Sequence, residues 1–149
     1  MQRPVRLDDV DRKILDHLER DGRATLSDVG AAVGLSSSAV KRRVDRLERG
    51  GVIVGYAAIV DPAAVGDRLE AFVELYCADN VAPGDLLASV ADLDAVVAAH
   101  TVAGDADAMV RVRVEGIEAL ERVIEQLRRD PMVMRTRTMV ALSTLVERP

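Results

Sequence analysis

The stretch Ala24–Gly51, ATLSDVGAAVGLSSSAVKRRVDRLERGG, reads as two short helices separated by one break. Thr25 opens the first, and Asp28 three residues on makes a near match to a capping box, in which the two side chains satisfy each other's backbone N–H groups. Leu26, Val29 and Val33 form its apolar stripe, and Gly34 breaks it. Ser36 caps a second helix carrying Val40, Val44 and Leu47 at i, i+4 and i+7, and Gly50-Gly51 stops it. Helix, tight Gly34-Leu35 turn, helix has the lengths of a helix-turn-helix. The small residues Gly30, Ala31 and Ala32 allow the two helices to approach closely.

The second helix is apolar on one side only. Its other faces carry Ser37, Ser38, Lys41, Arg42, Arg43, Arg46 and Arg49, and residues 36–50 hold five basic against two acidic residues, a local +3. Short hydroxyl residues at a helix N-terminus permit close approach to a nucleic-acid backbone, and the N–H groups there favour phosphate. Lys and Arg further along reach phosphates or guanine edges. An ordinary amphipathic helix with a solvated basic face has the same composition; the short helix and glycine turn ahead of it favour contact with double-stranded DNA. The expected DNA-binding set is Ser36, Ser37, Ser38, Lys41, Arg42, Arg43 and Arg46.

Working outward, Val10, Ile14 and Leu18, with Leu15 beside them, mark a preceding helix that Asp8 or Asp9 can cap and Asp21-Gly22 ends. Residues 1–53 thus read as a winged-helix-like three-helix unit. Val52–Val60 is β-rich and predicts a strand leading out of it; Asp61-Pro62 interrupts it, so residues 54–67 read as a strand-and-hinge linker.

Residues 68–149 change periodicity. Leu69, Ala71, Val73, Leu75 and Cys77 alternate with Glu70, Phe72, Glu74 and Tyr76, a strand. Pro83 suits a first helical position, followed by Leu86, Leu87, Val90 and Leu93. Val96–Val102 predicts a strand, Gly104–Asp107 a turn, and Met109–Val114 a strand with Val110, Val112 and Val114 inward. Ile117, Leu120, Val123, Ile124 and Leu127 mark a helix ended by Asp130-Pro131, and Val133–Val146 a last strand. The order is β-α-β-β-α-β, a ferredoxin-like domain, so the fold class is α+β. Helices cover one face of such a sheet; the other, with Phe72, Tyr76 and Met109, invites a second copy of the chain.

Composition limits the function. The chain has 149 residues, a net charge of −5 and 2% aromatic residues. The acidity is uneven: residues 1–60 hold 11 basic and 9 acidic residues, a net +2, whereas residues 61–149 hold 9 and 16, a net −7. Local charge governs phosphate contact, so the acidic total does not exclude a nucleic-acid binder. So few aromatics argue against base stacking. One cysteine (Cys77) and two histidines (His17 and His100) make a disulfide impossible within the chain and argue against a metal site. His100 reads as a packing residue and His17 as a solvated or half-buried one. No apolar run is long enough to span a membrane, and the start lacks a signal-peptide core, so a cytoplasmic protein is expected.

The string LDDVDRKILDHLERDGRATLSDVGAAVGLSSSAVKRRVDRLERGGVI, residues 7–53, together with AGDADAMVRV, residues 103–112, resembles the leucine-responsive and asparagine-synthetase regulators of bacteria and archaea, the Lrp/AsnC family. The second string stands where that family has a Gly-x-x-Asp turn. The resemblance implies homodimers, often assembled as octamers of four dimers, that bind pseudo-palindromic or curved DNA and sense a small-molecule effector, usually an amino acid, with no cofactor. Carried onto this chain, the effector positions are Gly104, Asp105, Ala106, Asp107, Thr136 and Thr138. A glycine turn can offer N–H groups to a carboxylate, and Asp105 or Asp107 can accept from an α-ammonium group. The same residues also suit a plain hairpin turn and a plain strand. Ala106 departs from the larger, often aromatic residue of many relatives, which leaves a pocket there wider, shifted or unused.

The expectation is a ligand-responsive transcriptional regulator rather than an enzyme. A ligand-independent architectural DNA binder is the alternative. A tetrapyrrole decarboxylase of related architecture is the weaker one, since it would want several histidines or arginines around a pocket.

Overall fold

The computed structural model describes residues 6–78 and 81–146, which fall into two compact units, one ending at Ile59 and the other beginning at Val60. The first holds three helices, α1 (Asp9–Arg20), α2 (Leu26–Val33) and α3 (Ser37–Arg49). Each starts on a side-chain cap. Asp8 accepts from the Asp11 N–H at 2.7 Å while Asp11 accepts from the Asp8 N–H at 3.0 Å, a capping box built from two aspartates. Thr25 and Asp28 form a second box, and Ser36 caps α3 through the Ala39 N–H. Gly34 ends α2 at φ 73°, a left-handed conformation that glycine adopts without strain.

Ile14, Val29, Val40 and Val44 form the core of this unit, with Leu47 also fully buried and Val10, Leu18, Leu26, Val33 and Leu35 packed around them. Of the three small residues on α2, only Gly30 faces inward; Ala31 and Ala32 are exposed. A Cβ on Gly30 would lie 2.5 Å from the Leu35 carbonyl oxygen, which belongs to the turn into α3. Glycine here is what lets the turn close.

Residues 52–60 do not form a strand, against the sequence expectation. A strand needs a neighbour, and among the described residues no other segment pairs with this one; of its backbone, the N–H groups of Val52 and Ile53 are bonded back, to the Leu47 carbonyl. Val54 and Ile59 are 95% and 80% exposed. Tyr56 instead donates to Glu48 at 2.9 Å, across the end of α3.

The second unit begins with a 3-10 turn, Pro62–Val65, and continues as β1 (Leu69–Cys77), α4 (Pro83–Ala91), β2 (Val96–Thr101), β3 (Ala108–Val114), α5 (Ile117–Arg129) and β4 (Val133–Val140). The four strands form one antiparallel sheet in the order β2-β3-β1-β4. Alternation decides the faces. Ala71, Val73 and Leu75 of β1 and Val110, Val112 and Val114 of β3 are buried under α4 and α5, which contribute Leu86, Val90, Leu120, Val123 and Leu127. Three expectations are corrected. Leu87 is 64% exposed, since it stands about 100° around α4 from Leu86. Ile117, on the first residue of α5, is 55% exposed. The last strand stops at Val140 rather than Val146, because β1 begins at Leu69: Val140 pairs with Ala71, the Ala141 N–H bonds to the Glu70 carbonyl, and the partner then runs out.

Gly30→Ala is expected to destabilise the helical unit by about 1–3 kcal/mol, the usual cost of forcing atoms into a packed contact. Ala31→Ser and Ala32→Ser, on exposed positions, should stay within about 0.5 kcal/mol of the unaltered chain in the same denaturant titration.

Candidate nucleic-acid interface

The seven residues expected to meet DNA lie in or beside α3, but they do not share one condition. Val40, Val44 and Leu47 seat the helix on the core. A second face turns toward α1, and the arginines on it are occupied. The Arg43 guanidinium lies 2.7 Å from carboxylate oxygens of both Asp8 and Asp11, and Arg46 holds the other oxygen of Asp11. Asp11 has no exposed side-chain surface. Arg43 and Arg46, both expected to meet DNA, share an i, i+3 face of α3 and hold it to α1 through Asp11.

The charges bear this out. Arg43, followed by the Asp11 N–H, pulls the Asp8 carboxyl from 3.8 down to about 2. Burial works against ionisation of Asp11, but the Asp8 N–H, Arg43 and Arg46 outweigh it, and its pKa is lowered too. Asp8 and then Asp11 raise that of Arg43. A buried carboxylate that keeps its charge needs such partners.

The third, outward face carries Ser37, Ser38, Lys41, Arg42 and Asp45. Lys41 is paired with Asp45 at 2.7 Å, one turn on, and both are partly exposed. Ser36 and Ser38 share a hydrogen bond between hydroxyls at 3.1 Å. Arg42 is exposed, and its side chain has no partner among the described residues. Adding Asp8 and Asp11 to residues 36–50 reduces the local +3 to +1.

In the sheet unit, four of the six effector positions form the β2–β3 turn. Asp107 is spent on that turn: its carboxylate accepts from the Cys77 N–H at 2.7 Å, its N–H donates to the Leu75 carbonyl, and its carbonyl accepts from the Val102 N–H. Ala106 is buried beside it. Asp105 and Gly104 are exposed, and Asp105 lies close enough to Arg137 to contribute to that guanidinium's raised pKa, after the larger effect of Glu74. Thr136 and Thr138 stand across β1, opposite Leu75 and Val73, and the Thr136 hydroxyl accepts from Arg128 at 2.8 Å. Two strand spacings, about 10 Å, separate them from the turn, so within one chain the six positions do not converge.

A feature that sequence reading missed lies beside the turn. A cavity of about 240 Å³ opens between α4 and the sheet, floored by Leu75, Val90 and Val110 and bordered by Ala99, Thr101 and Ala108. Two alanines on the helix-covered side of β2 and β3 are the signal that could have shown it, since Val at either would fill part of the space. His100, exposed, is at its edge, and His17 is half-buried on α1. Among the described residues no cluster of His, Cys, Asp and Glu is placed to hold a metal ion, and no helix is long and apolar enough to cross a membrane.

The pH dependence of the helical unit follows from Asp8 and Asp11. Their folded pKa values lie below the unfolded one, so their stabilisation is present above the ordinary carboxylate value of 3.8 and is lost as pH falls below it, for Asp8 through about 2. Amide signals of α1 and α3 should report unfolding across that window. Asp11→Asn should cost about 2–3 kcal/mol at neutral pH and flatten the acid limb.

Two family models match the chain: the AsnC-type helix-turn-helix domain over residues 7–48, and the Lrp/AsnC ligand binding domain over residues 70–149. The HTH-type transcriptional regulator Rv2324 of Mycobacterium tuberculosis is 41% identical over 143 residues, covering 96% of this chain and 97% of that protein. Two similar solved structures are complexes with an amino acid. One is the transcriptional regulator NMB0573/L-Met complex of Neisseria meningitidis, at a TM-score of 0.90 and 28% identity over 96% of this chain and 94% of that one. The other is the feast or famine regulatory protein Rv3291c of M. tuberculosis complexed with L-methionine, at 0.88 and 41% over 95% and 96%. The curated relatives are transcriptional regulators, not enzymes. With the helix-turn-helix, the antiparallel sheet and both domain matches in agreement over nearly its whole length, this chain belongs to the Lrp/AsnC family of transcriptional regulators.

Proposed function

We propose that the chain binds pseudo-palindromic double-stranded DNA as a homodimer and couples that binding to an amino acid held beside the Gly104–Asp107 turn. The observation that carries the DNA half is the outward face of α3: Ser37, Ser38, Lys41 and Arg42 are exposed on a helix whose other faces are consumed by the core and by α1. Ser36 caps its N-terminus, and Arg43 and Arg46 stiffen its seat while keeping partial exposure of 29% and 45% toward phosphate. The local +1 is small, so one copy would bind weakly, and pairing two copies on one duplex supplies the rest.

Two surfaces support self-association. The sheet face not covered by helices carries Phe72, Met109 and Met139 among ion pairs of Glu70 with Arg111 and Arg113 and of Glu74 with Arg137. The extended residues 52–60 expose Val54, Tyr56, Ile59 and Val60 with most of their backbone unpaired. Octamers of four dimers are the family's larger assembly. As a DNA-binding regulator the chain would work in the cytoplasm.

For the effector half, the apolar cavity between α4 and the sheet has room for an aliphatic or thioether side chain. Asp105 is the acid left to meet the α-ammonium group, since Asp107 is committed to Cys77. Gly104 and the turn N–H groups would face the carboxylate. Thr136 and Thr138 would join only from another subunit, which agrees with a site completed by assembly. The two L-methionine complexes support an amino acid as the class of ligand.

The test has two arms. Binding to DNA enriched from a random duplex pool should weaken steeply as salt rises, and footprints should show half-sites about 34–36 Å apart or a multiple of that. L-Methionine or L-leucine at millimolar concentration should raise the melting midpoint of the sheet unit by several degrees, since a ligand that binds only the folded state stabilises it by mass action. Asp105→Ala should remove that shift. No enriched DNA would contradict the first half, and no shift with any of the twenty amino acids would contradict the second in favour of an architectural binder.

A further inference from the structure

We infer that Arg42 is the specificity-determining residue of the recognition helix, reading one guanine in each half-site. This rests on the DNA-binding reading above and goes beyond it by assigning different tasks to arginines that the sequence leaves equivalent.

Arg43 is held at 2.7 Å by both Asp8 and Asp11, and Arg46 by Asp11. Turning either guanidinium into a groove would strip a partner from a carboxylate with no exposed surface. Arg49 donates through Nε to the Asp45 carbonyl at 2.9 Å and sits in the last turn of α3, seven residues beyond Arg42 and so about 10 Å further along the axis. Recognition helices meet base edges mainly through their N-terminal residues, which leaves Arg49 to the backbone. Lys41 is near the right end, but it is a flexible point charge already paired with Asp45. When that exposed pair opens, Lys41 suits a phosphate, which asks for charge and not for a fixed fork.

Arg42 alone meets every requirement. It lies in the first half of α3, one turn after Ser38 and on the same face. It is exposed, and no carboxylate among the described residues holds it. Its planar guanidinium can place two parallel N–H bonds on the O6 and N7 atoms of guanine in the major groove. A symmetric dimer would present two such residues and read two guanines related by the operator dyad.

The experiment is binding-site selection from a randomised duplex pool with the full chain and with Arg42→Ala, Arg42→Lys and Arg43→Ala, each also melted without DNA. The unaltered chain should enrich guanine at one symmetry-related position in each half-site. Arg42→Ala should flatten the preference at that position alone and lower affinity for the enriched operator on the order of 5- to 150-fold for each of the two half-sites, with an unchanged melting midpoint. Arg42→Lys should recover binding to non-cognate duplex but only part of the guanine preference. Arg43→Ala should lower the melting midpoint and keep the preference. Guanine enrichment that persists in Arg42→Ala overturns the assignment, whether affinity drops uniformly or not at all. So does an operator without a guanine pair. Failure of the unaltered chain to enrich any sequence contradicts the DNA-binding reading itself, a result distinct from either.

Discussion

Asp11 has no solvent-exposed surface, yet it stays charged because α3 brings Arg43 and Arg46 to it and the N-terminus of α1 brings the Asp8 N–H. The same carboxylate therefore closes the capping box of the first helix and fixes the rotation of the third. Rotation is what matters for a recognition helix, since about 100° per residue separates a side chain aimed into a groove from one aimed at the core. Val40, Val44 and Leu47 fix how deeply α3 sits, and Gly30 fixes how closely the turn before it can approach. The pair of arginines fixes which face is left over. Two of the five cations of residues 36–50 go to this task.

The sheet unit repeats the device with a different partner. Its turn between β2 and β3 is fastened by one carboxylate, Asp107, to the backbone of β1. β1 is one of the two inner strands of the sheet, paired on both sides, so the turn is anchored to a strand held by two neighbours. On the uncovered face each buried or half-buried glutamate has its own arginine, Glu70 with Arg113 and Glu74 with Arg137, and Arg135 lies over the Tyr76 ring at 3.8 Å. Such a face is polar enough to exist alone and regular enough to meet a copy of itself. The small residues Ala99 and Ala108 leave a cavity beside the turn, so anchor and space adjoin.

Much of this was legible in the sequence because it follows from local rules. The caps at Thr25 and Ser36, the stop at Gly34, the period-2 alternation of Leu69–Cys77 and of Met109–Val114, and the β-α-β-β-α-β order all depend on near neighbours. What was not legible depends on distant ones. Asp11 and Arg43 are separated by 32 residues, and nothing in the periodicity of either helix says that they meet. Residues 52–60 have strand composition, but a strand is a relation between two segments, and the described residues supply no second one. The cavity is a mismatch in volume between elements, which alternation cannot show. Asp105 and Asp107 look equivalent in the string Gly-Asp-Ala-Asp until the Cys77 N–H distinguishes them.

Arginines of the recognition helix hold it in place through a buried aspartate. A double-mutant cycle between Asp11→Ala and Arg43→Ala, read as unfolding free energy in denaturant at pH 7, tests it most directly. The two losses should overlap, with a coupling of about 1–2 kcal/mol and no further destabilisation comparable to the first when the second partner is removed. Strictly additive losses, with coupling indistinguishable from zero, would mean that Arg43 is an ordinary solvated residue that does not hold α3 to α1.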